Sequence, residues 1–121
     1  MLTTTAYGLA ILLDLLILFI GYRFLFAPWA AAAGYGVPAK QDRAYLTIKG
    51  IRDGSYGLIG LALLAFAGAQ AEAWFMLVVA LVPFGDTVVV LRNGGTKAAA
   101  FGIHFATAVV VVVSAVLLFL V

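Results

Sequence analysis

The chain has 121 residues, of which 66% are hydrophobic and 10% charged, and its mean hydropathy is +1.20. A soluble domain of this length needs far more charge to cover its surface, so that class is excluded. Net charge is +2, and the absence of cysteine excludes disulfides, thiolate nucleophiles and cysteine-held metal clusters.

Four apolar stretches follow one another at about 3–26, 45–69, 73–91 and 98–121. Each has the ~20 mostly apolar residues that a spanning helix needs. The alternating pattern of a transmembrane barrel is absent. The sequence therefore predicts an all-α fold: one integral membrane domain over 1–121, a four-helix antiparallel bundle. The first stretch reads as a retained helix and not a signal peptide, because Met1 to Tyr7 carries no basic side chain and Asp14 interrupts the apolar run.

The longest connection, near 27–44, reads as loop because Pro28, Gly34, Gly36 and Pro38 punctuate it. The connections near 68–72 and at Asn93-Gly94-Gly95-Thr96 are short, which makes consecutive helices antiparallel neighbours. All seven basic residues flank the first and third connections. By the positive-inside rule those connections are cytoplasmic, so both termini face outward, from a plasma or inner membrane. On this reading Lys49, Arg92 and Lys97 are interfacial anchors, and Glu72 is solvated. Trp29 and Tyr45 suit the inner interface, Trp74 and Tyr7 the outer one. The bilayer explains the basic residues without nucleic acid. Four short helices bury little surface alone, which leaves room for a homo-oligomer.

Ionisable residues inside such stretches are costly and normally face the bundle interior. Asp14 falls close to the midplane. It reads either as a proton carrier or catalytic acid, or as a helix–helix hydrogen bond to Thr107, Ser114 or Tyr56. Asp53, Asp86 and His104 form a second set in the inner third, candidates with Asp14 for acid–base catalysis. Arg52, Tyr56 and Arg23 are the candidate ligand-binding residues, with Arg52 suited to an anionic group. A register-fixing salt-bridge network is the alternative for this set. Helical spacing puts Tyr7, Asp14 and Gly21 on one face, and Lys49, Arg52, Asp53 and Tyr56 on another. Phe75, Val79, Pro83 and Asp86 form a third stripe, and His104, Thr107, Val111 and Ser114 a fourth. Arg23 points about 180° from Asp14 and is free to snorkel to the interface.

Gly50 and Gly54 have the spacing that lets membrane helices approach closely. Pro83 predicts a kink one turn before Asp86. Gly34-Tyr35-Gly36 lacks the strand–turn–helix setting of a nucleotide loop. One histidine cannot assemble a multi-histidine metal site within a monomer, so no metal is expected, and no cofactor motif is present.

The run Lys49-Gly50-Ile51-Arg52-Asp53 followed by Gly57, then Pro83-x-x-Asp86 and His104, resembles the family called domain of unknown function 4267. Gly21, Arg23 and Phe24 leading to Pro28 and Gly34 fit it too. This is a group of small four-helix membrane proteins, similar in layout to the DoxX-like group. The resemblance implies the fold and the grouping of these residues, and no reaction.

Three functions follow from the residues. The first is binding or converting a lipophilic small molecule by isomerase- or cyclase-like acid–base chemistry, in a polar pocket in the cytoplasmic half of the bundle. The second is a small proton-coupled transporter. The third is a non-catalytic accessory or structural subunit. The sequence does not settle whether the protein is an enzyme.

Overall fold

The computed structural model describes residues 1–121. It is all helical, with no strand: α1 (Leu2–Phe26), α2 (Pro28–Tyr35), α3 (Arg43–Phe66), α4 (Ala69–Val79), α5 (Leu81–Arg92), α6 (Lys97–Ala99) and α7 (Ala106–Phe119). A π-helical segment, Ala100–Phe105, joins α6 to α7. Three helices are long and apolar enough to cross a membrane: Leu2–Phe26, Ala69–Arg92 and Lys97–Phe119. The stretch predicted over 45–69 forms the 24-residue α3, which also carries Arg43, Lys49, Arg52 and Asp53.

The outer surface is apolar. Leu12, Phe19, Leu58, Val78 and Leu81 are each more than half exposed. The buried set instead includes Asp14, Asp53, Glu72 and His104. Water would reverse that distribution, whereas lipid imposes it.

Two connections differ from their sequence reading. The segment 27–44 is not all loop, because Pro28 opens α2 at its first turn. Proline is pre-organised for that position, and the alanines after Trp29 are strong helix formers. The helix stops at Gly36, whose φ of 95° a residue with a Cβ rarely adopts. The second connection is shorter than the expected 68–72. Gly68, at φ 96°, makes the turn, and α4 begins at Ala69. Glu72 therefore lies in the first turn of a helix, and it is buried.

Pro83 acts as its chemistry requires. It has no N–H to give the carbonyl of Val79, and the helix is interrupted at Ala80, between α4 and α5. The π-helical segment similarly disturbs the fourth helix around His104. Such segments are frequent where a side chain is being re-aimed at a site.

Packing is set by glycine. Helix α1 lies chiefly against α3, running antiparallel to it: Gly21 meets Gly50 and Gly54, while Asp14 and Leu18 meet Gly57 and Gly60. A Cβ on Gly57 would come within 2.6 Å of the Asp14 carbonyl oxygen and 2.9 Å of Leu18 Cβ. Helix α4 lies against α7, and α5 against the π-helical segment. One apolar cluster joins Ala6, Ala10, Leu64, Met76, Ala115 and Leu118 at the end bearing the N-terminus. A second, with Phe24, Ala31, Ala32 and Leu46, closes the other end beneath α2. The polar groups lie between the two.

This packing makes a direct prediction. Gly57→Ala should lower unfolding stability in detergent micelles by about 1–3 kcal/mol through overpacking. Gly8 has open space around its Cβ position. Gly8→Ala should leave stability unchanged or raised by about 0.5–1 kcal/mol through helix propensity. Equal melting of the two variants would show that the α1–α3 approach does not require glycine.

Candidate functional site

A cavity of about 260 Å³ lies between the two apolar clusters, lined by 22 residues, 14 of them hydrophobic. Its polar lining includes Asp14, Tyr35, Asp53, Tyr56, Asp86 and His104. Phe75, Val79, Pro83 and Asp86 line it from α4 and α5, on the shared face their spacing predicts. His104, Thr107 and Val111 line it from the fourth helix, while Ser114 is buried and outside the lining.

The centre of one end is Tyr35, at the last position of α2. Its hydroxyl donates to Asp86 Oδ2. Its carbonyl oxygen accepts from His104 Nε2 at 2.6 Å. Its ring lies 4.2 Å, centroid to centroid, from the imidazole. Lys49 Nζ sits 4.2 Å from the Tyr35 ring centroid and 4.9 Å from that of Phe24. Partly desolvated contacts of this type contribute on the order of 1–2 kcal/mol each. The same ammonium pairs with Asp53 Oδ2 at 2.8 Å, one helical turn along α3. Thus Tyr35 ties together α2, α3, α5 and the π-helical segment.

In the sequence Tyr35 stands out only within Gly34-Tyr35-Gly36, which lacks the setting of a nucleotide loop. A signal was present: an aromatic residue ending a Pro-opened helix just before a glycine stop. Lys49 was expected to be an interfacial anchor. It is half-buried instead and neutralises Asp53, because both lie on one face of α3.

Asp14 anchors the other level of the cavity. Asp53 and Gly60, which packs on the Asp14 carboxyl, are seven positions apart on α3, a rise of about 10 Å. The partner of Asp14 is none of Thr107, Ser114 and Tyr56. The group that faces it is the Glu72 carboxyl. The expectation that Glu72 is solvated is overturned, since it is fully buried. Asp14 Oδ2, both Glu72 carboxyl oxygens and Ser114 Oγ are buried without a hydrogen-bond partner. Two carboxyls in apolar surroundings satisfy each other when one holds a proton and donates it.

The remaining candidates divide. Tyr56 lines the cavity, edge-on to Phe75. Arg23 is exposed but reaches the lining. Arg52 is not brought in: its side chain is 51% exposed, its Nε stands 4.0 Å from Asp53 Oδ1, and it does not line the cavity. Adjacent helical residues diverge by about 100°, so turning Asp53 inward turns Arg52 outward.

Burial and the Asp86 carboxylate both push the Tyr35 phenol above the ordinary tyrosine pKa. The folded protein thus holds this proton at a pH where the unfolded chain releases it, from about pH 10 upward. The stability it confers is complete below that pH and is lost as pH rises further. Tyr35→Phe should therefore flatten the alkaline fall in melting temperature between about pH 9 and 11. Parallel melting curves across that range would refute the buried phenol.

A family model described as a domain of unknown function, DUF4267, matches residues 15–118. No curated protein and no solved structure matches the chain. The match spans α1 from Leu15, the Tyr35 cluster and Glu72, stopping within α7, and it begins one residue after Asp14. With its apolar exterior and three helices of membrane-spanning length, the chain belongs to the DUF4267 family.

Proposed function

We propose that this is a small integral membrane protein whose four long helices cross the bilayer as an antiparallel bundle, and whose cavity binds a lipophilic small molecule. The observation that carries the reading is a void with mostly apolar walls onto which Asp53, Tyr56, Asp86 and His104 converge. Ligand sites between bundle helices have this composition. A register-fixing network, as an accessory subunit would need, has no use for the void.

The Tyr35–Asp86–His104 set also supports chemistry. Hydrogen bonds hold the imidazole and the carboxylate against one tyrosine. A proton taken from one carbon of a bound molecule and returned to another gives isomerisation or cyclisation, with no metal or nucleophile required. Asp14 lines the far end of the same void.

In orientation, all seven basic residues lie where α1 ends, α3 begins and α5 passes to α6. That end faces the cytoplasm on this reading, and both termini face outward from the plasma or inner membrane.

One observation favours a second reading. The Asp14–Glu72 pair has no cation beside it and lies at a different depth from the Tyr35 cluster, as a proton-holding step in a proton-coupled transporter would.

Two measurements separate these readings. Val111→Trp, which fills the void, should abolish retention of a lipophilic molecule by the purified protein in a native mass spectrum, with helix content unchanged. Retention equal to that of the native chain would sink the ligand-site reading. Proteoliposomes with an imposed pH gradient test the carrier. If it operates, Asp14→Asn and Glu72→Gln each stop proton flux; native flux in both variants eliminates it.

A further inference from the structure

Most donors in the cavity are spent. The Tyr35 hydroxyl serves Asp86, and His104 Nε2 serves the Tyr35 carbonyl. Thr107 Oγ1 donates to the Ile103 carbonyl at 2.6 Å, and Lys49 Nζ to Asp53 Oδ2. The unspent polar atoms are chiefly acceptors. Asp53 is 1% exposed and lines the cavity, yet its Oδ1 has no hydrogen-bond partner. Asp14 is 3% exposed and lines it too, and its Oδ2 has no hydrogen-bond partner, with the Glu72 carboxyl facing it. Glu72, behind Asp14 and outside the lining, has two more unpartnered oxygens, so it brings no donor to spare even when the two carboxyls share one proton. Against them stand the Tyr56 hydroxyl and the exposed Arg23 guanidinium.

Charge points the same way. Asp14, Asp53 and Asp86 line the cavity, with Arg23 as the lining cation. Lys49 is committed to Asp53, and neither Asp86 nor Asp14 makes an ion pair. A carboxylate or phosphate head would be repelled by these groups, and an ether or ketone would find acceptors facing acceptors. A protonated amine offers up to three N–H donors and the complementary charge, with an alkyl or aryl body against Leu13, Ile17, Phe75 and Val79.

We propose that the ligand of this cavity is a lipophilic amine, bound as its ammonium form with its head at Asp53 and Asp86. The assignment rests on the ligand-site reading above and narrows it to one chemical class.

Four probes with the same eight-carbon tail test it by titration of the purified full chain in micelles: octylamine, octyltrimethylammonium, octanol and octanoate. Octylamine should bind tightest, by about tenfold or more over octanoate. The trimethylammonium probe has the charge without donors and should fall between them. Asp53→Asn should weaken octylamine by about tenfold and leave octanol unchanged. If that variant loses helix content by circular dichroism, Asp86→Asn reports on the same head group from α5. Octanoate binding as well as octylamine, or both variants retaining native octylamine affinity, would overturn the amine assignment while leaving a ligand site in place. Binding by none of the four probes would remove the site itself.

Discussion

Everything in this molecule depends on how closely α1 can approach α3. The two helices meet through Gly21, Gly50, Gly54, Gly57 and Gly60, and the bare glycines of α3 leave room for Asp14, Leu18 and Leu25 of α1. In lipid no hydrophobic effect draws helices together, so close van der Waals contact must do so. The approach brings Asp14 against Gly60 and sets Asp53 on the same inward side of α3. A larger residue at Gly57 or Gly60 would push apart the wall from which two carboxylates reach the cavity. The glycines thus serve the site without touching a ligand.

The second constraint is polar satisfaction inside an apolar shell. Asp53 is tolerable at 1% exposure because Lys49 reaches it. Asp86 and His104 are tolerable because Tyr35 offers a donor to one and an acceptor to the other. The short helix α2 is thus a structural plug with a chemical end: Ala31 and Ala32 pack into the lower apolar cluster while Tyr35 completes the polar one. The Asp14–Glu72 pair has less help. It is the least compensated group in the protein, and its two carboxyls depend on each other.

These arrangements also bear on chemistry. A site of carboxylates, an imidazole and a phenol, with apolar walls, can move protons and recognise donors. It lacks an accessible pair of cations to grip an anion, since Lys49 is engaged and Arg52 faces outward. The amine assignment follows from that imbalance more than from the shape of the void.

The sequence by itself determined the membrane class, the positions of the long helices and the faces their polar residues occupy. Hydrophobic length and helical period are local properties, and a single chain displays them without reference to any fold. The stripe from Phe75 to Asp86, the inward Asp14 and the close-packing role of Gly50 and Gly54 were readable for that reason. Tertiary structure alone decided which polar groups meet. Tyr35 joins Asp86 and His104 across 51 and 69 positions of chain. Glu72 finds Asp14 only because the second connection closes at Gly68 and α4 starts at Ala69, which carries that residue into a helix. Arg52 turns outward because its neighbour Asp53 turns inward. Such pairings depend on helix rotation and long-range approach, and no local period encodes either.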